Sequence, residues 1–426
     1  MLVMFRAKNF LSFKDEVILD FRKSGYREHK NHTFAIKNFE LLKTIAIYGA
    51  NASGKSNLIC ALSAFIDTVR SQFFEDDGIK KIEENLTATI AAFKPFLLTQ
   101  KIDSNIEFEI VFINNDTLFQ YGFIVEKDKK MKFLKEWLFI EDQEVFTRSS
   151  NIVFGEKYKE LYGGFNKVRD DRLLISTIDY FAVEPNQRKF ISIMKDFFIE
   201  KVNVHFEIYF ESSIKGLSVF SLSQFQALMN DKALLNEVKN YVKKIDVGIA
   251  DFDVQEIELT NRKTNEKKKE KVLKTIHNVL DEDGKIIDTQ SFDLEDESSG
   301  TKRFISFINN IISLLDSGGV YIIDELSSSL HPILTKFIID LFQSKINQKN
   351  AQLIFTTHET TIMNKHQFRR DEIVIVDKNN KGESFIYSLA DIDVRSDATY
   401  DSDYFKGKYG GIPIIADVLS GETFDD

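Results

Sequence analysis

Two short stretches far apart in the chain carry side chains suited to handling a triphosphate. The first, Gly49-Ala50-Asn51-Ala52-Ser53-Gly54-Lys55-Ser56, has the spacing Gly-x4-Gly-Lys-Ser of a phosphate-binding loop. Such a turn aims successive backbone N–H groups at a phosphate held at the positive end of the following helix. The expected nucleotide contacts are Gly49, Asn51, Ala52, Ser53, Gly54, Lys55, Ser56 and Asn57. Lys55 would neutralise the β- and γ-phosphate oxygens, and the Ser56 hydroxyl would sit on Mg²⁺. The second stretch, Asp324-Glu325, places two acids at the end of an apolar run. Asp324 can hold the same Mg²⁺, and Glu325 is placed to polarise an attacking water. His358, which follows Leu353-Ile354-Phe355-Thr356-Thr357, could in its neutral form hydrogen-bond a γ-phosphate or that water.

The elements that must position these groups are legible around them. Ile45-Ala46-Ile47-Tyr48 and Val320-Tyr321-Ile322-Ile323 have the length and apolar character of buried parallel strands, and the C-terminal edge of such a sheet is where ligands bind. The residues from Asn57 onward open a helix expected to reach about Phe74. Ser298 and Gly300, in Glu297-Ser298-Ser299-Gly300-Thr301, precede a second helix running to about Leu315 and form another anion site at its start. One phosphate cannot sit at two distant helix starts of one subunit, so this second site is expected to serve a neighbour's nucleotide.

Elsewhere the pattern changes. Residues 2–8 and 16–21 alternate as short strands, and residues 22–40, with His29 and His32, are expected to form a surface loop. Residues 106–148 alternate apolar and polar between turn signals at Asn114-Asn115-Asp116 and Lys127–Lys130, which predicts an antiparallel meander. Residues 171–245 have helical spacing, most clearly in Phe190–Phe198 and Ala227–Ile245, and residues 252–259 alternate as a strand. The stretch 262–274 carries Arg262, Lys263, Lys267, Lys268, Lys269, Lys271 and Lys274; it reads as a solvated hairpin tip or as a contact for the phosphate backbone of DNA or RNA. Asp391 and Asp393 read as an acidic surface loop.

Composition sets the outer limits. A chain of 426 residues with 43% hydrophobic and 29% charged residues can bury a large core. The single cysteine, Cys60, excludes an internal disulfide and suits a reducing cytosol. No signal-peptide core and no run of about 18 apolar residues is present, so a cytoplasmic protein without a membrane partner is expected. The net charge of −10 excludes a surface that is basic all over, not a local positive groove.

Gly49–Ser56, Glu297–Thr301, Val320–Glu325, Ser327–Pro332 and His358 match, in order, the Walker A, signature, Walker B, D-loop and switch-histidine elements of ABC-type ATPases. The opening Val3–Phe13 looks like that of the RecF/SMC branch. Arg369-Arg370-Asp371 and Gly407–Pro413 resemble the AAA-family ATPases of the RloA type, associated with bacterial anti-phage defence. The resemblance implies an α/β ABC ATPase head: a mixed or parallel P-loop core sheet, an antiparallel β subdomain and a helical lobe. It implies three divisions: 1–180 (ATPase lobe with Walker A and meander), 181–296 (helical lobe and basic hairpin) and 297–426 (signature, Walker B, D-loop, switch histidine and tail). The cofactors implied are ATP and Mg²⁺. The partners implied are a second copy, sandwiching ATP between Walker A of one subunit and Ser298 and Gly300 of the other, and an effector, expected to be a nuclease. Ser299 stands where transporters have glycine, and Leu11 where the break-repair branch often has an arginine. The Q-loop is expected at a strand-to-helix passage over Leu173–Tyr180. The expected function is an ATP-hydrolysing, dimerising switch in anti-phage defence; the alternative is a RecF/SMC-like repair ATPase acting directly on DNA. A transporter motor does not fit, because the chain between Lys55 and Asp324 holds a meander and a basic hairpin that such motors lack. A nuclease built around Asp391 and Asp393 is not expected, because too little chain follows them here to build such a domain.

Overall fold

The computed structural model describes residues 1–73, 93–127, 131–205, 228–245, 248–260, 267–395 and 398–412. The strands β1 (Leu2–Lys8), β2 (Val17–Asp20), β3 (Thr33–Ile36) and β4 (Phe39–Leu42) lead into β5 (Thr44–Tyr48) and helix α1 (Lys55–Phe73). The meander follows as β6 (Asn105–Asn114), β7 (Thr117–Lys127), β8 (Met131–Ile140), β9 (Gln143–Arg148) and β10 (Ile152–Phe154). Helices α2 (Glu156–Tyr162), α3 (Leu174–Phe181) and α4 (Pro185–Asp196) precede β11 (Val202–His205), then α5 (Lys232–Ile245). A long ribbon of β12 (Ile249–Thr260), β13 (Lys267–Leu280) and β14 (Ile286–Asp293) runs into α6 (Ser299–Ser317). The chain closes with β15 (Val320–Ile323), α7 (Pro332–Gln343), β16 (Gln352–Thr356), β17 (Ile373–Lys378), β18 (Ser384–Ser388) and α8 (Tyr400–Phe405).

The two sheet types form separate sheets. One has six strands in the order β11-β15-β16-β5-β17-β18, parallel except for the edge strand β18. The other has seven, in the order β10-β9-β8-β7-β6-β1-β2, all antiparallel. Every residue of β5, β15 and β16 is buried. Such strands are covered on both faces, which is why they read as continuous apolar runs rather than alternations.

Because side chains alternate across a strand, each core strand feeds two cores. Ile45 and Ile47 join α1 and the meander, whereas Ala46 and Tyr48 join α6, α7 and α8. Helix α1 is thereby sandwiched between the sheets: Phe65 stacks on Phe123 at 5.1 Å and meets Phe5 edge-on at 6.0 Å. The position of the phosphate loop relative to the meander is set by this packing. Deleting such a ring costs about 3–5 kcal/mol.

Two expectations are corrected. His32 is not on a surface loop: it is buried, with Nδ1 2.9 Å from Glu372 Oε2, and the β3–β4 hairpin begins at the next residue. Residues 173–180 hold no strand-to-helix passage. Buried Glu136 of β8 accepts from Leu174 N at 2.6 Å and Ile175 N at 3.2 Å, so α3 begins there on a carboxylate that offsets its dipole. The strand beside β15 is instead β11, hidden in the sequence because it is short and half polar. The chain beyond His205 up to Leu228 lies outside the described residues, as do Arg262 and Lys263, and so do 128–130 of the expected meander turn.

Candidate phosphate and metal site

The turn after β5 needs its glycines. Gly49 has φ 153° and Gly54 φ 119°. A Cβ on Gly49 would lie 2.3 Å from Val376 O, and one on Gly54 would lie 2.7 Å from Ser384 Oγ and 2.9 Å from Ser12 Oγ. Both positions therefore exclude a side chain on conformation and on space. The loop is wedged between the N-terminal turn and β18: Asn57 Nδ2 donates to Ser12 Oγ at 2.8 Å, and Ser384 Oγ donates to Ser53 O at 2.5 Å. Asn51 and Ala52 are exposed at its tip, and Ala52 adopts φ 62°.

Lys55 is buried and donates from Nζ to Gly49 O and Ala50 O, each at 3.0 Å. Burial pushes its pKa down to about 8, against the upward pull of Asp324 and Glu325. A desolvated ammonium beside the loop's N–H groups is arranged for a strongly anionic ligand.

The parallel register brings Asp324 to the same place. β15 and β16 pair Ile323 with Phe355, and β16 and β5 pair Phe355 with Ala46, so the three strand ends lie side by side. Asp324 Oδ1 is 3.3 Å from Ser56 Oγ and accepts from Thr356 Oγ1 at 2.6 Å. The Thr356 hydroxyl in turn accepts from Glu325 N at 2.7 Å, and Glu325 sits at φ 53°. Thr356 thus ties the Asp324 carboxylate to the backbone of Glu325. Two converging protein oxygens suit Mg²⁺, which is held in such sites by one or two side chains together with phosphates and water. Among the described residues no three His, Cys, Asp or Glu side chains converge on one point.

His358 is exposed, just past β16. Its pKa is lowered by loss of water around the ring and by the Lys55 ammonium, with Glu325 and Asp324 pulling upward. The ring thus lies within the electrostatic reach of Lys55, Glu325 and Asp324.

Ser298 and Gly300 are placed differently. Ser298 is exposed and caps α6, its Oγ accepting from Thr301 N at 3.1 Å. Gly300 approaches the turn after β15 so closely that a Cβ would lie 2.8 Å from Ser329 O. Arg303, one turn further along α6, donates to Glu325 O at 2.6 Å. The helix start is thereby tied to the acid-bearing turn.

The sequence missed several groups that build this site. Thr356 and Arg303 act only through tertiary contacts, and Ser12 and Ser384 support the loop from distant segments. Thr356-Thr357 at the end of an apolar strand, beside the strand that carries the acids, is the one signal that pointed to any of them.

A glycine-bearing loop between strand and helix, an acid pair at the end of β15 with β16 between it and the loop strand, and a capped helix tied to the acid-bearing turn thus lie together at one edge of the parallel sheet. Residues 45–364 match the family described as "AAA domain, putative AbiEii toxin, Type IV TA system", and the chain belongs to that family. No curated protein matches it. Among solved structures it is similar to the SMC head domain from Thermotoga maritima, with 15% identity, 92% of this chain and 99% of that chain covered, and a TM-score of 0.41. It is also similar to the Smc head domain with a coiled coil and joint from Pyrococcus yayanosii, with 12% identity, coverage of 96% and 99%, and a TM-score of 0.45.

Proposed function

We propose that the chain binds and hydrolyses ATP with Mg²⁺ and uses ATP to bring two or more copies together, as a switch of the RloA-like anti-phage group. The observation that carries this reading is the chain of contacts from Ser56 through Asp324 and Thr356 to Glu325 and Arg303. It joins the phosphate loop to a helix start whose Ser298 faces solvent.

In this mechanism Gly49–Ser56 cradle the phosphates with Asn57, and Lys55 neutralises their charge. Ser56 and Asp324 would hold Mg²⁺, which would neutralise phosphate charge there. Glu325 takes the proton of the attacking water, and His358 orients the γ-phosphate. Ser298 and Gly300 meet the nucleotide of the neighbouring copy. Assembly then controls an effector, of nuclease type on the family resemblance, in the cytoplasm; among the described residues no helix is long and apolar enough to cross a membrane.

The reading that the chain acts directly on DNA is less well supported. Lys271 donates to Asn230 at 2.7 Å and Lys274 pairs with Asp293 at 3.1 Å. Across the ladder the same two lysines lie opposite Glu256 and Asp253. Lys271 and Lys274 thus spend their charge within the fold.

Phosphate release from Mg-ATP tests the proposal. The wild type should release phosphate, and Lys55→Ala should lose at least about 100-fold of that rate, as expected when a main electrostatic contact to the transferring group is removed. A wild type that neither binds nor hydrolyses ATP would contradict it.

A further inference from the structure

The segment Tyr400–Ile412 has no place in the site described so far, yet it lies against the base of the phosphate loop. α8 presents Tyr404, which is 6% exposed. Its ring meets that of Tyr48, the last residue of β5, at 6.3 Å with an interplanar angle of 62°. Its hydroxyl donates to Gly411 O at 2.7 Å, and the Gly49 amide serves as a further partner of that hydroxyl. Gly411 N in turn donates to Asp377 Oδ2 at 3.0 Å.

The turn so held is tight. Gly410 and Gly411 adopt φ 69° and 64°. A Cβ on Gly411 would lie 2.6 Å from Ile375 Cγ2 and 3.5 Å from Gly49 Cα; one on Gly410 would lie 2.5 Å from Tyr387 Oη. The Tyr387 hydroxyl donates to Tyr409 O, closing the turn from its other side. Burial first, and Asp377 second, push the Tyr404 hydroxyl up to about 12, so it stays protonated and able to donate. Gly49 is also pressed against Val376 O. The point where the chain leaves β5 and opens into the loop is therefore gripped by β17 and by this turn.

We infer that Tyr404 and Asp377 are positioning residues for the phosphate loop: through Gly411 they fix where Gly49 begins the turn, and so set its affinity for the triphosphate. The inference rests on the reading of Gly49–Ser56 as an ATP site. Loop N–H groups bind one phosphate together only if the loop is already in place; freedom at its entry must be removed on binding and weakens it. An effect on ground state and transition state alike appears in KM and not in kcat.

Tyr404→Phe keeps the ring against Tyr48 and removes only the hydroxyl. Its Kd and KM for Mg-ATP should rise about fivefold with kcat within about twofold of wild type, the scale of one lost hydrogen bond. Asp377→Ala should shift both constants the same way. Asp377→Asn should stay close to wild type, because its amide oxygen can still accept from Gly411 N–H. If Tyr404→Phe melts at a lower temperature but binds Mg-ATP like wild type, the segment is a stabilising brace and the inference is wrong. Equal losses in Asp377→Asn and Asp377→Ala would overturn the role given to that acceptor. Failure of the wild type to bind Mg-ATP would instead remove the ATPase reading, and this inference with it.

Discussion

At Lys55 two effects oppose each other: burial disfavours the ammonium, and Asp324 and Glu325 favour it. Burial wins, leaving a pKa of about 8. Triphosphate binding favours the charged form, so the bound lysine stays protonated and binding takes up a proton as pH rises above 8. ATP affinity should therefore weaken about 10- to 30-fold between pH 7.5 and 9.5, following the protonated fraction of the free protein. An affinity independent of pH over that range, measured by titration calorimetry, would contradict the burial of this ammonium. Thr356 supports both acids with one hydroxyl. Thr356→Val should lower kcat about 10- to 100-fold, as two hydrogen bonds that fix reacting groups are lost, while ATP binding changes little. Unchanged turnover in steady-state assays would show that Asp324 and Glu325 hold their places without it. The glycine loop and acid pair were legible because their roles lie in contiguous residues. Thr356 and Arg303 were not, because nothing local distinguishes a threonine or arginine that becomes important only when strands align.

At the scale of elements, the same contrast separates what was read from what was missed. β5, β15 and β16 were clear because burial on both faces makes an apolar run, and the meander was clear because one of its faces is not fully buried. β11 escaped because four residues, two of them polar, follow directly on a helical pattern. Residues 22–40 are polar, yet His32 within them is not solvated. It instead closes a buried network in which Glu372 also meets Thr44 and Gln343, and Arg369 pairs with Asp371. Arg369 is fully buried, and its guanidinium also donates to Glu28 O and Tyr26 O. This network joins the N-terminal loop to the start of β17, at the opposite end of the core sheet from the phosphate loop. Arg369→Ala leaves the buried Asp371 carboxylate without its cationic partner, with Ser24 still donating to it, and should cost about 3–5 kcal/mol in urea unfolding. A loss below about 1 kcal/mol, the range of an exposed pair, would show that water reaches the site.

At the scale of the molecule, the two cores on either face of the central sheet converge on one edge. α1 and its loop belong to the core shared with the meander, and α6 with its exposed cap belongs to the other. Arg303 and the close approach of Gly300 to Ser329 link the helix cap to the acids on β15. A subunit that fills its own loop thus has the means to present a cap to another subunit. The three-stranded ribbon enters the same linkage, because Glu297, just before the cap, accepts from Thr275 and pairs with His277 of β13. The proposed function makes assembly the output of nucleotide binding. The most direct test is the assembly state of Glu325→Gln with Mg-ATP, by gel filtration with light scattering. The variant should bind ATP, hydrolyse it slowly and elute as a dimer or larger assembly that disappears when ATP is omitted. A variant that binds ATP and still elutes as a monomer would contradict the claim that the site is completed by a second copy.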